Sequence, residues 1–411
     1  MEFSVALVVQ KFGGSSVADV DGIKNVARIV SEARKQGHMV VVVVSAMYKE
    51  TDRLIELAHS VSKTNANNLR EYNALISTGE QMSAALLSMA LEAKNCPALS
   101  YNAAQIRLRT TNEHKKARIV DIDPQILLDD LEKGCIPVVA GFQGISEIGE
   151  ITTLGRGGSD LTAVVLAAAL KADECQIFTD VDGIYTSDPK GIPTARRISK
   201  LTFDAVIEMS SLGAQVLQNR CLEFAGKYQV PIRVLSSFRD GPGTTITYGQ
   251  DCIERPLVSS ITFERCQAKL TLQGIPENPD LVSHILDPIS ETDTEVDMIV
   301  QVSAADTKKI DFSFTLQRDD YFRVYPIVRM IAKELGAKTI LGNDDVSKIS
   351  LVGVGMRSHA GIASRMFSAL GQEGIRVHLV TATEVKISVL IDEKYLEAGI
   401  KKLHSAFDLD R

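Results

Sequence analysis

Up to about Thr247 the chain alternates between two kinds of pattern, and that alternation narrows the possible folds more than any other feature. Runs rich in apolar, β-branched residues ("VALVV", "MVVVVV", "IPVVAGF", "CQIFTDV" and "VPIRVL") are separated by helical patterns such as "DLTAVVLAAALKAD". Continuous apolar runs of this kind make strands that are covered on both faces. Repeated βαβ units around a largely parallel sheet are therefore expected, with the almost wholly apolar helix buried against it.

The stretch "SFRDGPGTTITYGQDCIERP" breaks the pattern with glycines, prolines and charges, and places a domain boundary after residue 247. Beyond it the chain nearly repeats itself. "CQAKLTLQGIPENPDLVSHILDPISETDTEVDMIVQV" and "DVSKISLVGVGMRSHAGIASRMFSALGQEGIRVHLVTATEVKISVLI" each read as strand, glycine-containing loop, helix, strand, and each continues toward another strand and helix. Two small βαββαβ modules are expected, over residues 248–340 and 341–411.

Open parallel sheets bind ligands at the carboxyl ends of their strands, so the turns there are the places to look for chemistry. In "VVQKFGGSSV" an expected strand over Val5 to Val9 runs through Lys11 and a Gly13-Gly14 turn toward a helix with Ser16 as its N-cap. Bare N–H groups at a helix start favour an anion, the glycines let it approach the main chain, and Lys11 adds a full positive charge. The lysine precedes the glycines, so this is not a Walker A loop. A tight structural turn with a solvated lysine accounts for the same residues. "ITTLGRGGSDLTAVVL" repeats the logic, with Arg156 ahead of Gly157 and Gly158, then Ser159 and Asp160. A guanidinium grips a carboxylate through two parallel hydrogen bonds, so an organic acid is the natural occupant. Two anion-binding turns in one domain suggest a phosphate donor and an anionic acceptor.

Three further segments reach the same side of the expected sheet. Ser45 and Thr51 precede the helix "DRLIELAHSV", where helix capping would explain either residue alone. Glu80 sits at a helix start, where the dipole favours a carboxylate in any case. "FTDVDGIYTSDPK" brings Asp180 and Asp182 to a strand end, with Tyr185, Asp188 and Lys190 in the loop; it lacks the later ligands of a calcium loop.

Composition excludes several function classes. With 411 residues, 45% hydrophobic and 24% charged, the chain has ordinary globular composition. Its net charge of -7 gives no basic footprint for DNA or RNA. Cys96, Cys135, Cys175, Cys221, Cys252 and Cys266 form no C-x-x-C pair and read as reduced thiols, with no metal site. No basic stretch leads into a long apolar one, and no long unbroken apolar run occurs, so a cytoplasmic protein that neither crosses nor binds a membrane is expected.

Taken in order, "QKFGGSSV", "VVSAM…TD", "STGEQ", "TTLGRGGSD" and "TDVDGIYTSDP" resemble the aspartokinase family, and the tandem modules resemble its two regulatory ACT domains. The resemblance runs from about Leu7 to Leu409. It implies an amino-acid-kinase-like α/β sandwich on a parallel sheet, followed by two ferredoxin-like ACT domains. It also implies phosphate transfer from Mg-ATP to the β-carboxylate of L-aspartate, giving 4-phospho-L-aspartate in the first step of lysine, threonine and methionine synthesis.

On this resemblance Lys11, Phe12, Gly13 and Gly14 hold the phosphates of ATP, and Thr179, Asp180, Tyr185 and Lys190 complete the nucleotide side. Ser45, Thr51, Glu80 and Arg156 surround aspartate, with Arg156 on its α-carboxylate and Glu80 near its amino group. Gly157, Gly158, Ser159 and Asp160 form the floor, and Lys11, Arg156 and Asp160 are the catalytic set. Asn278, Pro279, Asp280, Thr383 and Glu384 fall in the allosteric positions, where lysine, threonine or both would act between paired chains. A homo-oligomer joined through its ACT domains is implied. Tyr48 stands where a small residue is common and Gln215 where many members carry lysine; weakened ATP affinity is the expectation from the latter. Asp280 and "VTATEVKIS" also depart from the common pattern, which makes retuned or absent feedback inhibition an expectation to test. Two other readings stay open: a kinase for glutamate or acetylglutamate, and a catalytically weak regulatory paralogue that binds amino acids.

Overall fold

The structure is a computed structural model and describes residues 6–62, 69–114, 116–212, 217–248, 258–304, 309–353, 356 and 361–410. The expected boundary after residue 247 adjoins residues 249–257, which lie outside that set, as does Gln215. The chain divides into two compact units. One is Met1–Ile184 with Arg197–Ser210 and Gln215–Ile253; the other is Tyr185–Arg196 with Ser211–Ala214 and Glu254–Arg411.

The first unit opens with β1 (Leu7–Phe12), α1 (Val20–Lys35), β2 (Met39–Val44), α2 (Glu50–Val61), α3 (Leu69–Ile76) and α4 (Thr78–Glu92). There follow β3 (Ala98–Tyr101), β4 (Arg109–Thr110), β5 (Ile119–Asp121), α5 (Gln125–Glu132), β6 (Ile136–Ala140), β7 (Gln143–Ile145) and β8 (Ile151–Thr153). It continues through α6 (Gly158–Leu170), β9 (Glu174–Thr179), β10 (Lys200–Thr202), α7 (Phe203–Ser211), α8 (Asn219–Tyr228), β11 (Ile232–Ser236) and β12 (Thr244–Thr247). Eight strands form one sheet in the order β10-β12-β11-β9-β1-β2-β6-β3. All its pairings are parallel except that of β11 with β12.

The valines of β2 explain why the sheet is central: Val41 to Val44 are fully buried. One face packs on α1 and α4 through Val26, Val30, Leu87 and Leu91. The apolar α6 is buried along nearly its whole length, from Leu161 through Leu170, and packs against β1, β2 and β9. Burial on all sides removes the need for a polar face, which is why its sequence shows almost none.

Local boundaries differ from the sequence expectation in three places. β1 runs on to Phe12 because Phe12 pairs with Val44 on one side and Phe178 on the other, so Lys11 lies in the strand. Ser16 is not the helix cap; it is buried with its hydroxyl 2.6 Å from that of Ser237. Asp19 caps α1 instead, accepting the Gly22 N–H at 2.8 Å. Thr51 lies inside the first turn of α2, one residue after Glu50. A small four-stranded sheet, β5-β4-β7-β8, was not legible, because strands of two or three residues leave no periodicity to read.

The second unit contains β13 (Val258–Pro276), α9 (Leu281–Ser290), β14 (Val296–Ala304), β15 (Lys309–Gln317), α10 (Arg318–Glu334) and β16 (Thr339–Gly353). It ends with α11 (Ile362–Gln372), β17 (Val377–Ala382), β18 (Lys386–Asp392) and α12 (Leu396–Ala406). Its strands form one sheet, β14-β15-β13-β16-β18-β17, with antiparallel pairing throughout. Two large cores lie on it, besides a small cluster of Met298, Val346 and Leu390. One joins Leu270, Phe312 and Phe314 with α9 and α10; the other joins Ile349, Leu351 and Val389 with α11 and α12. The repeat is therefore real, with a twist in its wiring. Residues Ser260 to Glu264, ahead of the first module, pair with Lys348 to Val352 and close the sheet of the second.

Candidate active site

Most of the charged and hydroxyl residues singled out in the first unit converge on one cavity of about 400 Å³. Lys11, Gly14, Ser45, Thr51, Glu80, Arg156, Gly157, Gly158, Ser159 and Asp160 line it. They come from the carboxyl ends of β1, β2 and β8 and the starts of α2, α4 and α6, so a parallel sheet delivers them to one edge.

Lys11 is nearly buried, and its Nζ lies 2.5 Å from Oδ1 of Asp160 in the first turn of α6. That ion pair fixes the ammonium at the cavity wall, where a long flexible stem would otherwise let it wander. Gly14 holds the turn close to β2: a Cβ there would stand 3.0 Å from the Ala46 carbonyl oxygen. Gly157 adopts φ +69°, a left-handed conformation that glycine takes without strain, and a Cβ would also collide with Gln218. These constraints explain the glycines on both turns.

Glu80 is 4% exposed, and its Oε1 accepts the Ala46 N–H at 3.1 Å. Its Oε2 is buried without a partner. Burial pushes the carboxyl up to about 7, against the opposing pull of the Ala46 hydrogen bond. Gly79 makes the approach possible, since a Cβ on it would meet that of Ala46 at 2.8 Å. A buried carboxylate oxygen facing a cavity with no donor is a receptor for a cation.

Other residues of the expected set lie elsewhere. Phe12 is fully buried and stacks on Phe178 at 4.6 Å, and Gly13 donates its N–H to the Phe178 carbonyl at 3.3 Å, so both support the turn from beneath. Thr179 and Asp180 stand at the end of β9, with the Thr179 hydroxyl 3.0 Å from Asp180 Oδ1. Tyr185 and Lys190 belong to the second unit. There too, Asn278, Pro279 and Asp280 lead into α9, and Thr383 and Glu384 form the turn between β17 and β18.

Sequence reading missed Met47, Lys49, Asp52, Gly155 and Phe142 as cavity residues. Phe142 has φ +72°, strained for a bulky side chain, and its N–H bonds to Thr162 Oγ1 at 3.2 Å. Nothing in "AGFQG" announces that conformation. Tyr48 lines the mouth and is 62% exposed, with the Lys49 ammonium 5.4 Å from its ring centroid. Cys175 and Cys221 are no nucleophiles, since burial drives both thiols far up, aided by the charge of Asp160.

The cavity thus brings together a buried carboxylate oxygen without a donor, a guanidinium, an ammonium held by an ion pair and two glycine turns. Among the described residues, no group of three His, Cys, Asp or Glu is arranged to hold a metal. No helix among them is long and apolar enough to cross a membrane.

Comparison with known proteins supplies relatives by sequence and by fold. The amino acid kinase family matches residues 6–236, and an ACT domain matches residues 349–407. An aspartate kinase of Pseudomonas putida is 52% identical over 407 residues, covering 99% of this chain and 98% of that one. An aspartokinase of Pseudomonas aeruginosa is 53% identical over 408 residues, with the same coverage. Among solved structures, aspartokinase III of E. coli in complex with aspartate and ADP superposes with a TM-score of 0.75 at 25% identity, covering 97% of this chain and 99% of that one.

Proposed function

We infer, from the premise that the chain belongs to the aspartokinase family, that it transfers the γ-phosphate of ATP to the β-carboxylate of L-aspartate, giving 4-phospho-L-aspartate and ADP. The observation that carries the reading is the unpartnered Oε2 of Glu80 in the same cavity as Arg156 and Lys11. Aspartate presents an ammonium, an α-carboxylate and a β-carboxylate, and the cavity offers a counterpart to each charge.

In this reading the α-ammonium binds Glu80 and the α-carboxylate binds Arg156 through two hydrogen bonds. Ser45, Thr51, Ser159 and the N–H of Gly157 complete the cradle, while the Gly158 N–H, donated to the Gly155 carbonyl at 2.9 Å, holds the turn. The β-carboxylate then points at the phosphate turn. It is already ionised at neutral pH, so no general base is required. Catalysis rests on alignment and on charge: Lys11, held by Asp160, and the N–H of Gly14 stabilise the transferring phosphoryl group. A magnesium ion would be carried chiefly by the nucleotide, with Asp180 at the end of β9 among the carboxylates that could help hold it. Such an ion supplies charge neutralisation on the phosphates.

Residues 1–247 then form the catalytic domain, and 248–340 and 341–411 the regulatory modules. A lysine- and aspartate-bound aspartokinase III of E. coli, described as the T-state, superposes with a TM-score of 0.78 at 25% identity. Its bound lysine supports an amino-acid effector. In this reading lysine or threonine acts at Asn278, Pro279, Asp280, Thr383 and Glu384, and the chain is a cytoplasmic homo-oligomer joined through these modules.

Acceptors that lack one charge test the reading. Succinate has no ammonium for Glu80 and β-alanine has no α-carboxylate for Arg156. Each is expected to lose at least about a hundredfold in kcat/KM relative to aspartate, the loss of one charge-assisted contact with its partner left buried. Succinate turning over like aspartate would remove the basis of the assignment.

A further inference from the structure

Residues 141–143 link β6 to β7 in the first unit, and their bonds run to the segments that carry Ser45, Glu80 and Arg156. Gly141 donates its N–H to the Val44 carbonyl at 3.0 Å, immediately ahead of Ser45, and a Cβ on it would meet that of Ser159 at 2.7 Å. The Phe142 carbonyl accepts the Leu154 N–H at 2.9 Å, two residues before Arg156. Its N–H goes to Thr162 Oγ1 at 3.2 Å, and that hydroxyl donates to the Gly158 carbonyl at 2.9 Å, two residues after Arg156. The turn bearing Arg156 is thus held at both ends through one residue.

Gln143 reaches the other way. Its Nε2 donates to the Ser77 carbonyl at 3.1 Å, at the start of the helix α4 that carries Glu80, and its Oε1 accepts from Gln81 Nε2 at 3.2 Å. Nε2 also faces the Gly141 carbonyl at 3.5 Å, so two carbonyls fix which end of the amide bears the hydrogens. Gln143 is 2% exposed and Thr162 is fully buried, so bulk water does not make good either set of bonds if it is lost. Phe142 keeps its left-handed φ of +72° between these anchors. Such a conformation persists in a bulky residue only where its neighbours over-determine it.

We propose that Gln143 and Thr162 are positioning residues for the amino-acid acceptor: acting through residues 141–143, they set the spacing between Glu80 and Arg156. The inference rests on the reading of that pair as clamps on the α-ammonium and α-carboxylate of one substrate. It goes further by naming what fixes their separation. An acceptor gripped at both groups needs that separation to be right, and an acceptor gripped at one does not. Loss of either positioning residue therefore weakens the two-clamp substrate and spares a one-clamp substrate.

The test uses the full-length enzyme. Thr162→Val and Gln143→Met keep the approximate shape and remove the hydrogen-bonding groups. Each is expected to raise KM for aspartate roughly tenfold, the loss of one or two net hydrogen bonds, with KM for ATP within about twofold of wild type. For succinate, which lacks the ammonium, kcat/KM should change less than about twofold, so the preference for aspartate over succinate falls about tenfold. Thr162→Ser, which keeps the hydroxyl, restores the aspartate value. In the wild-type enzyme L-aspartate slows amide exchange in residues 141–143 and 154–158 and succinate does not; this measurement stands even where a variant fails to fold. An unchanged KM for aspartate in folded Thr162→Val and Gln143→Met, an equal loss for aspartate and succinate, or exchange indifferent to aspartate would each overturn the proposal. The two levels fail separately. If the wild-type enzyme uses succinate as well as aspartate, the clamp reading is at fault and the proposal falls with it. If it discriminates and the folded variants keep that discrimination in full, the positioning inference alone fails.

Discussion

Replacing Lys11 by alanine is expected to lower kcat by about a thousandfold or more, the scale of losing a preorganised charge at a transferring phosphoryl group, while KM for aspartate changes far less. Two effects add. The ammonium that neutralises the phosphates is gone, and Asp160, its partner at 2.5 Å, is left as a nearly buried carboxylate without a counter-charge. That second charge repels the phosphates and carries its own desolvation penalty. The double variant Lys11→Ala, Asp160→Asn should therefore be more active than Lys11→Ala alone, which would set apart the lost attraction from the added repulsion. Steady-state kinetics with each substrate varied decides the matter. A kcat within tenfold of wild type would mean that Lys11 does not act on the transferring group.

Glu80 gives the second large effect, and its sign can be worked out for binding and for folding. An ammonium ligand needs the ionised carboxylate, whose pKa in the empty cavity is pushed up to about 7. KM for aspartate should thus rise about tenfold between pH 8 and pH 6, and Glu80→Gln should raise it about a hundredfold at pH 8 and flatten its pH dependence. Folding responds in the opposite sense. Between the ordinary carboxylate range and pH 7 the folded chain keeps a proton on Glu80 that the unfolded chain has released, so this residue destabilises the fold increasingly as pH rises. The effect is on the order of 3 kcal/mol above pH 7 for a shift from 4.5 to about 7. Ligand-free Glu80→Gln should accordingly melt at a higher temperature than wild type at pH 8 and at a similar one at pH 5. A lower melting temperature at pH 8 would show that Glu80 supports the fold instead of waiting for a ligand.

Two parts of the site were legible from the strands before them: Lys11 and Ser45 stand at the ends of continuous apolar runs that are recognisable as strands. Arg156 was legible from its own turn, since the strand before it is the three-residue Ile151–Thr153 and the signal is the Gly-Gly-Ser-Asp run that opens an apolar helix. Glu80 was visible as a residue at a helix start, but its unpartnered oxygen and raised pKa depend on Gly79 admitting Ala46, a tertiary contact without a local signature. Phe142 escaped for the same reason. Its conformation comes from the turn between β6 and β7 and from Thr162, twenty residues away. Ser16 misled because a hydroxyl ahead of a helix has the look of a cap. Its real partner is Ser237, 221 positions along the chain. The strand Ser260 to Glu264 was hidden by connectivity, since it closes a module that begins some eighty residues later.

The central claim is the identity of the phosphate acceptor, and acyl phosphate trapping with hydroxylamine tests it most directly. The wild-type chain is offered ATP with L-aspartate, L-glutamate or N-acetylglutamate. The expected result is ATP-dependent hydroxamate from aspartate, with both longer acids at background and the aspartate signal abolished in Lys11→Ala. Hydroxamate from glutamate or acetylglutamate at a comparable rate, or none from any acceptor while amino acids still bind, would contradict the account.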